Sequence, residues 1–234
     1  MEIAPFIWAH RGASGLAPEN TMAAFRQAEL AGADGIELDV HLSRDGRPVV
    51  IHDETIDRTT DGSGAVADIL LRDLQRRDAG SWFAPEFCGE TVPLLEEVLG
   101  WAADRIRLNI EIKSPQAGRA VLDLLSQFPD VSVLISSFRH DLLFSMRQWS
   151  PDLPIAFLSD SCFWRLALKR AVACQAESFH PPERHVTRVL VNACHQLGMK
   201  VFPWTVDDTR RRDTLLRIGV DGLFTNFPQG NGVS

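Results

Sequence analysis

Two stretches of alternating residues carry the chemistry of this chain. In Ile36-Glu37-Leu38-Asp39-Val40 the apolar side chains share one parity and the carboxylates the other, so in extended backbone both acids project to the same side. Leu108-Asn109-Ile110-Glu111-Ile112-Lys113 repeats the arrangement, with Asn109, Glu111 and Lys113 on one side. If both segments face a common interior, three carboxylates converge there. Their repulsion is strongly unfavourable unless a shared proton or a cation offsets it, and oxygen-only ligation by Glu37, Asp39 and Glu111 suits Mg²⁺ or Ca²⁺. Lys113 alone cannot neutralise all three. The competing reading makes them ordinary strand acids facing solvent on an antiparallel sheet, but parallel strands are covered on both faces and leave few such positions.

Asp45-Gly46 follows the first stretch and is a hairpin signal. A two-residue loop there pairs Arg44 with Arg47 and, stepping back along the ladder, sets Asp39 opposite His52. This register predicts an imidazole beside the carboxylates. His10 ends the apolar run Phe6 to Ala9. Two histidines near one cation can serve as proton acceptor and donor. Arg11 and Lys113 could hold an anionic phosphate, with a plain surface ion pair as the alternative for Arg11. His41, His140, His180, His185 and His195 are read as structural. The Gly12 to Gly15 turn does not by itself define a phosphate loop.

The elements that must position these residues alternate short β-like runs with amphipathic stretches, as a parallel sheet with crossover helices requires. Nine strand candidates run from Phe6 to Ala9, Ile36 to Leu42, Pro48 to His52, Leu108 to Ile112, Val131 to Ser136, Ile155 to Leu158, Glu177 to Phe179, Lys200 to Trp204 and Gly222 to Thr225. The turn before Pro48 is too short for a parallel crossover, so Pro48 to His52 is read as an antiparallel return strand. Eight parallel strands remain, with helices expected at about 21–31, 94–103, 117–128, 139–149, 162–173, 186–197 and 209–218. The fold class is therefore α/β, a (β/α)8 TIM barrel forming a single domain over 1–234. Its length of 234 residues is close to the roughly 250 such a barrel needs. His10 then falls at the carboxyl-terminal face, where such barrels place their sites. Residues 53–93 contain Gly62, Gly64, Gly80, Pro85 and Gly89 and no clear strand, and are expected to form an inserted lobe in which Leu70, Leu71 and Leu74 make a short helical face.

Composition narrows the classes further. Apolar residues make up 45 % and charged residues 24 %, which excludes a disordered or low-complexity chain. A net charge of −7 argues against nucleic acid as a partner, since phosphate neutralisation needs clustered cations, yet leaves room for a small-molecule phosphodiester. Glu2 and the few residues before His10 do not make a signal peptide, and no apolar run approaches the roughly 20 residues of a transmembrane span. Cys88, Cys162, Cys174 and Cys194 form no CxxC pair, so a reduced, cytoplasmic protein is expected. Oligomeric state is not legible.

HRGASGLAPENT at 10–21, ELDVHLSRDGRPVVIHD at 37–53, IEIK at 110–113 and the late WTVD and DGLFTNFP occur in order across nearly the whole chain. In these motifs the chain resembles the glycerophosphodiester phosphodiesterase family. The resemblance implies a (β/α)8 barrel with a small insertion at about 53–93. It implies Glu37, Asp39 and Glu111 as ligands of a divalent metal, His10 and His52 as general acid and base, and Arg11 and Lys113 as phosphate-binding groups. Glu19 and Asn20 are expected to organise the site, with helix capping by Asn20 as the structural alternative. Trp204 is expected to shape the glycerol end of the pocket. Asp207 stands where relatives often carry Asn, so a substrate contact there is not expected.

The expected activity is metal-dependent hydrolysis of a glycerophosphodiester to glycerol 3-phosphate and an alcohol. Water and the neighbouring glycerol hydroxyl both remain as nucleophile, and either histidine as base. A lysophospholipase D of the same barrel type is the alternative, with Trp82, Phe83 and Phe87 as residues that could offer an apolar groove. A non-catalytic phosphate-binding barrel is a second alternative.

Overall fold

The computed structural model describes residues 4–229; Glu2 and the two chain ends assigned to the single domain lie outside the described residues. The alternation along 36–40 and 108–112 sorts the side chains of two adjacent parallel strands, β2 (Gly35–Leu42) and β4 (Arg107–Ile112). Ile36, Leu38, Val40, Leu108, Ile110 and Ile112 are wholly buried in the core that runs between strands and helices. The residues of opposite parity point into the barrel.

Around the sheet the order is β8 (Lys200–Val201), β7 (Ser178–His180), β6 (Ile155–Leu158), β5 (Val133–Ser137), β4, β2, β1 (Phe6–Ala9) and β9 (Gly222–Thr225), every neighbouring pair being parallel. Asp221 N donates to Val201 O at 3.1 Å and Phe224 N to Pro203 O at 2.9 Å, bridging the ends of the sheet. The result is a nearly closed barrel of eight parallel strands. The crossover helices α1 (Met22–Leu30), α3 (Leu95–Ala102), α4 (Ala117–Leu125), α5 (His140–Trp149), α6 (Trp164–Ala173), α7 (Arg188–Gln196) and α8 (Thr209–Arg217) fall within the expected spans, with α2 (Leu71–Leu74) in the lobe between them. α1 and α7 begin a residue or two later than expected because Thr21 and Thr187 act as caps, while α8 begins at the expected residue behind Asp208, each of these side chains accepting from a backbone N–H in the first turn.

Inside the barrel Trp8, Leu134, Ala156, Phe202 and Phe224 form a second apolar cluster. Trp8 and Phe224 stack with centroids 5.8 Å apart. These rings fill the interior below the carboxylates.

Two expected details are corrected. β3 (Pro48–Val50) is antiparallel to β2, but Val40 pairs with Val50, His41 with Val49 and Leu42 with Pro48. Ser43 pairs with Arg47 through Ser43 N to Arg47 O, and Gly46 N returns to Ser43 O, so the loop is Arg44-Asp45-Gly46. Gly46 adopts φ 75°, the left-handed conformation that closes a three-residue turn with a bulge. This extra residue shifts the register by one, and Ile51 N, not His52, meets Asp39 O at 2.9 Å. The second correction concerns β8, which stops at Val201 because Pro203 has no N–H to continue the ladder.

After β3 the chain builds the lobe around Val49, Ile51, Ile56, Val66, Leu74, Ala79 and Val92, a small core distinct from that of the barrel. Of the expected leucine face, Leu74 is fully buried there and Leu71 packs against it. No helix among the described residues is long and apolar enough to cross a membrane.

Candidate active site

Register brings the acids together. Pairing of β2 with β4 sets Glu37 beside Asn109 and Asp39 beside Glu111, and one oxygen from each of Glu37, Asp39 and Glu111 lies within 4.8 Å of the others. All three are buried. Burial and the Asp39 charge lift Glu37 well above the usual carboxylate range and Glu111 to about 7. Burial pushes Asp39 the same way, but the ammonium of Lys113 and the guanidinium of Arg11 outweigh it and hold Asp39 at about 2. Lys113 Nζ donates to Glu111 Oε1 at 2.7 Å and sits 3.4 Å from Asp39 Oδ1. Asp39 Oδ1 and Asn109 Oδ1 are buried and accept no hydrogen bond among the described residues. A dry cluster in which Glu37 and Glu111 resist ionisation beside the ionised Asp39, with unused oxygen lone pairs, is a donor set that a hard divalent cation would fit.

Arg11 begins the turn after β1. Its backbone N–H donates to Glu37 Oε2 at 2.8 Å, its Nη1 to Glu19 Oε1 at 2.9 Å, and its Nε lies 3.4 Å from Asp39 Oδ2. Arg11 (φ 56°) and Asn20 (φ 57°) are both left-handed, tied by Asn20 N to Arg11 O at 3.0 Å. Between them Gly12 (φ 79°) lets the turn lie against α1, for a Cβ there would sit 2.7 Å from the Ala24 backbone. Asn20 does not cap α1; Thr21 does, and Asn20 Nδ2 instead donates to Asp39 Oδ2 at 2.8 Å. Asn20 therefore orients a carboxylate of the cluster.

The two histidines have different supports. His10 follows β1, its N–H bonded to Thr225 O at 2.9 Å, and its Nδ1 lies 2.8 Å from Asn226 Oδ1. Asn226 Nδ2 donates to Asp207 Oδ2 at 2.6 Å, which fixes the amide with its oxygen toward the imidazole. His10 Nδ1 must then carry the hydrogen, leaving the Nε2 lone pair free of this network. Burial and Arg11 lower His10 to about 4, so the ring is neutral at pH 7. His52 instead gives Nδ1–H to Asp53 Oδ1 at 2.6 Å. Arg58 and His52 hold the Asp53 carboxyl far below its usual range, so His52 is backed by a full negative charge. His41 Nε2 donates to the His52 carbonyl at 3.1 Å and steadies the backbone at the end of the hairpin.

A cavity of about 230 Å³ opens at the carboxyl-terminal mouth. His10, Arg11, Glu37, His52, Asn109, Glu111 and Lys113 line one part of it, and Phe138, Leu158, Trp204 and Phe224 the other. Seven of the eight residues singled out in the sequence thus share one cavity, and Asp39 lies in contact with them beneath its wall. Trp204 donates Nε1–H to His180 O at 2.9 Å and meets Phe138 edge to face at 5.7 Å. Trp82, Phe83 and Phe87 pack on one another in the lobe and do not line this cavity. Sequence reasoning missed Asn226, Asp53, Phe138 and Leu158. Asn226 and Asp53 each directly follow a strand end or a candidate histidine, a positional signal that was available; Phe138 and Leu158 look like ordinary core residues.

Residues 10–230 match the model of the glycerophosphoryl diester phosphodiesterase family. The chain is 41 % identical over 231 residues to a glycerophosphodiester phosphodiesterase of Caldanaerobacter subterraneus, covering 94 % of this chain and 93 % of that one. It is 39 % identical to one from Bacillus altitudinis, over 95 % of this chain and 94 % of the relative. Among solved structures it is similar to a phosphodiesterase from Oleispira antarctica in complex with the product sn-glycerol-3-phosphate, with a TM-score of 0.90, 32 % identity and coverage of 96 % and 94 %. A glycerophosphodiester phosphodiesterase from Agrobacterium tumefaciens gives a TM-score of 0.85 at 30 % identity, with coverage of 97 % and 98 %.

Proposed function

From the premise that this chain belongs to the glycerophosphoryl diester phosphodiesterase family, we propose that its mouth cavity hydrolyses glycerophosphodiesters to glycerol 3-phosphate and an alcohol, with His10 as base and His52 as acid. The observation that carries this reading is the carboxylate triad flanked by two histidines whose partners differ in charge. Glu37, Asp39 and Glu111 would hold a divalent cation, Mg²⁺ or Ca²⁺, which when bound supplies Lewis-acid polarisation of a phosphoryl oxygen. Arg11 and Lys113 bind the remaining phosphate charge. His10, neutral and with Nε2 unprotonated, accepts the proton of the attacking oxygen, either water directly or the neighbouring glycerol hydroxyl, whose cyclic phosphate water then opens to glycerol 3-phosphate. His52, its ring oriented by the Nδ1–H bond to Asp53, donates a proton to the departing alkoxide. Trp204, with Phe138 edge-on to it, gives the non-reacting part of the substrate an apolar wall.

We place the activity in the cytoplasm because all four cysteines are unpaired. The lysophospholipase D reading has less support, since the lobe aromatics that could have offered an acyl groove are turned to one another.

The test compares glycerophosphocholine, glycerophosphoethanolamine and lysophosphatidylcholine, with each metal added back to chelated protein. Release of glycerol 3-phosphate, abolished by chelation and restored by Mg²⁺ or Ca²⁺, is expected. Full turnover by rigorously metal-free protein removes the cation from the reading, and turnover of lysophosphatidylcholine alone replaces the substrate. His10→Ala and His52→Ala should each cut kcat by roughly 10²- to 10⁴-fold while leaving cation binding in place. An ester with a nitrophenolate leaving group needs little protonation, so it should recover rate with His52→Ala and not with His10→Ala. The reverse pattern exchanges the two roles.

A further inference from the structure

Arg58 belongs to the inserted lobe, on the turn that Thr60 N closes onto Ile56 O at 3.1 Å and that the buried Ile56 anchors. Its guanidinium spans two carboxylates. Nε and Nη2 donate to the two oxygens of Asp53 at 2.7 and 3.1 Å, and Nη1 and Nη2 to those of Glu19 at 2.7 and 2.8 Å. Each acid in turn holds a group of the site: Asp53 takes Nδ1–H of His52 at 2.6 Å, and Glu19 takes Nη1–H of Arg11 at 2.9 Å. One planar fork therefore ties the histidine on one side of the cavity to the arginine on the other.

The arrangement has little value as stability. The Arg58 side chain is 44 % exposed, and ion pairs open to water contribute little to folding. Its geometry is specific, however. A carboxylate with one hydrogen-bonded partner can rotate about its terminal torsion, whereas a bidentate arginine fixes the plane of the group and thus the direction in which each oxygen accepts. With Asp53 so fixed, the imidazole of His52 has one favoured orientation.

We propose that Arg58 is a positioning residue through which the lobe completes the active site, holding Asp53 so that His52 is aimed at the leaving group, with Glu19 as the second carboxylate that keeps the fork in place. This rests on the acid role given to His52 above. It also gives the lobe a part in the reaction that its own apolar core does not explain.

The experiment measures kcat and KM for the parent enzyme, Arg58→Ala, Arg58→Lys, His52→Ala and the double variant His52→Ala/Arg58→Ala. Glycerophosphocholine is compared with the 4-nitrophenyl ester of glycerol 3-phosphate, and Arg58→Gln takes the place of the alanine variant if the latter does not fold. Arg58→Ala should lower kcat on glycerophosphocholine by about 10- to 100-fold, as a misaimed catalytic group does, and lower it far less on the nitrophenyl ester. Arg58→Lys should recover only part of that loss, because an ammonium cannot form the fork. In the His52→Ala background the Arg58 change should alter kcat by no more than about threefold. Parent-like kcat for Arg58→Ala on glycerophosphocholine, equal losses on both esters, or full additivity with His52→Ala overturns the proposal. Parent-like turnover by His52→Ala alone removes the acid assignment and the proposal with it, and a parent enzyme inactive on both esters removes the functional reading itself.

Discussion

At the scale of single residues, the histidines differ by what stands behind them. Asn226 presents a neutral carbonyl oxygen to His10, and its orientation depends on Asp207, which accepts from Asn226 Nδ2, from Asn226 N at 2.8 Å and from Thr225 Oγ1 at 2.9 Å. Asp207 thus acts on the site without touching the cavity. Asp207→Ala should free the Asn226 amide to turn its NH₂ toward His10 and favour the wrong tautomer, so kcat should fall by about tenfold or more with KM little changed. Steady-state kinetics check this; an unchanged kcat would mean that Asn226 holds its orientation without Asp207. The carboxylates give a second prediction. Glu111 is lifted to about 7 and Glu37 is raised as well, so without a cation both bind protons above the range of an ordinary carboxyl. A cation requires them ionised and must displace those protons. Its affinity should therefore rise with pH through about 7, where Glu111 ionises, and level off only once the raised Glu37 is ionised as well, and titration calorimetry in buffers of different ionisation enthalpy should detect proton release. Glu111→Gln should weaken binding and reduce the proton count; pH-independent affinity would place the cation elsewhere.

At the scale of elements, the hairpin decides how His52 reaches the site. β3 carries Val49 into the lobe core and Val50 into the barrel core, so the two-residue period of the strand staples one to the other. His52 lies just past the strand and enters the cavity from the returning chain, free of the ladder. Gly46 is the residue that makes this register possible. Space around it is open, so Gly46→Ala meets no atom within 4 Å and costs only the left-handed backbone, about 1 kcal/mol. A correspondingly lower urea midpoint with kcat unchanged is expected. A drop in kcat instead would show that the turn can slip to the two-residue form and rotate His52 away.

At the scale of the whole molecule, the barrel with its large core and the lobe with its small one share one active site. The barrel supplies the carboxylates, His10 and Lys113, while the lobe supplies Arg58 and its small core carries the return to His52. Leu74 is fully buried in the smaller core, and Leu74→Ala should cost about 2–5 kcal/mol there, a large share of what so few apolar residues can supply. Local opening should precede global unfolding. Hydrogen exchange should accelerate over 53–93 with barrel strands still protected, and kcat should fall more than cation affinity does, since the three carboxylates lie on β2 and β4. Uniform loss of protection would show instead that lobe and barrel unfold as one unit.

What the sequence by itself determined was the parity of the strands and, through it, the inward set Glu37, Asp39, Asn109, Glu111 and Lys113, because side-chain direction in extended backbone is a local property that alternates whatever the surroundings. It determined also that a return strand follows Asp45-Gly46, and the order of motifs fixed the family. Tertiary structure alone decided the hairpin register, since Asp-Gly closes loops of two or three residues equally well and only packing on both cores selects between them. Contacts between distant side chains were likewise out of reach. His10 meets Asn226 across 216 positions and Arg58 meets Glu19 across 39, and both follow from how the barrel closes and where the lobe docks, which no local spacing encodes.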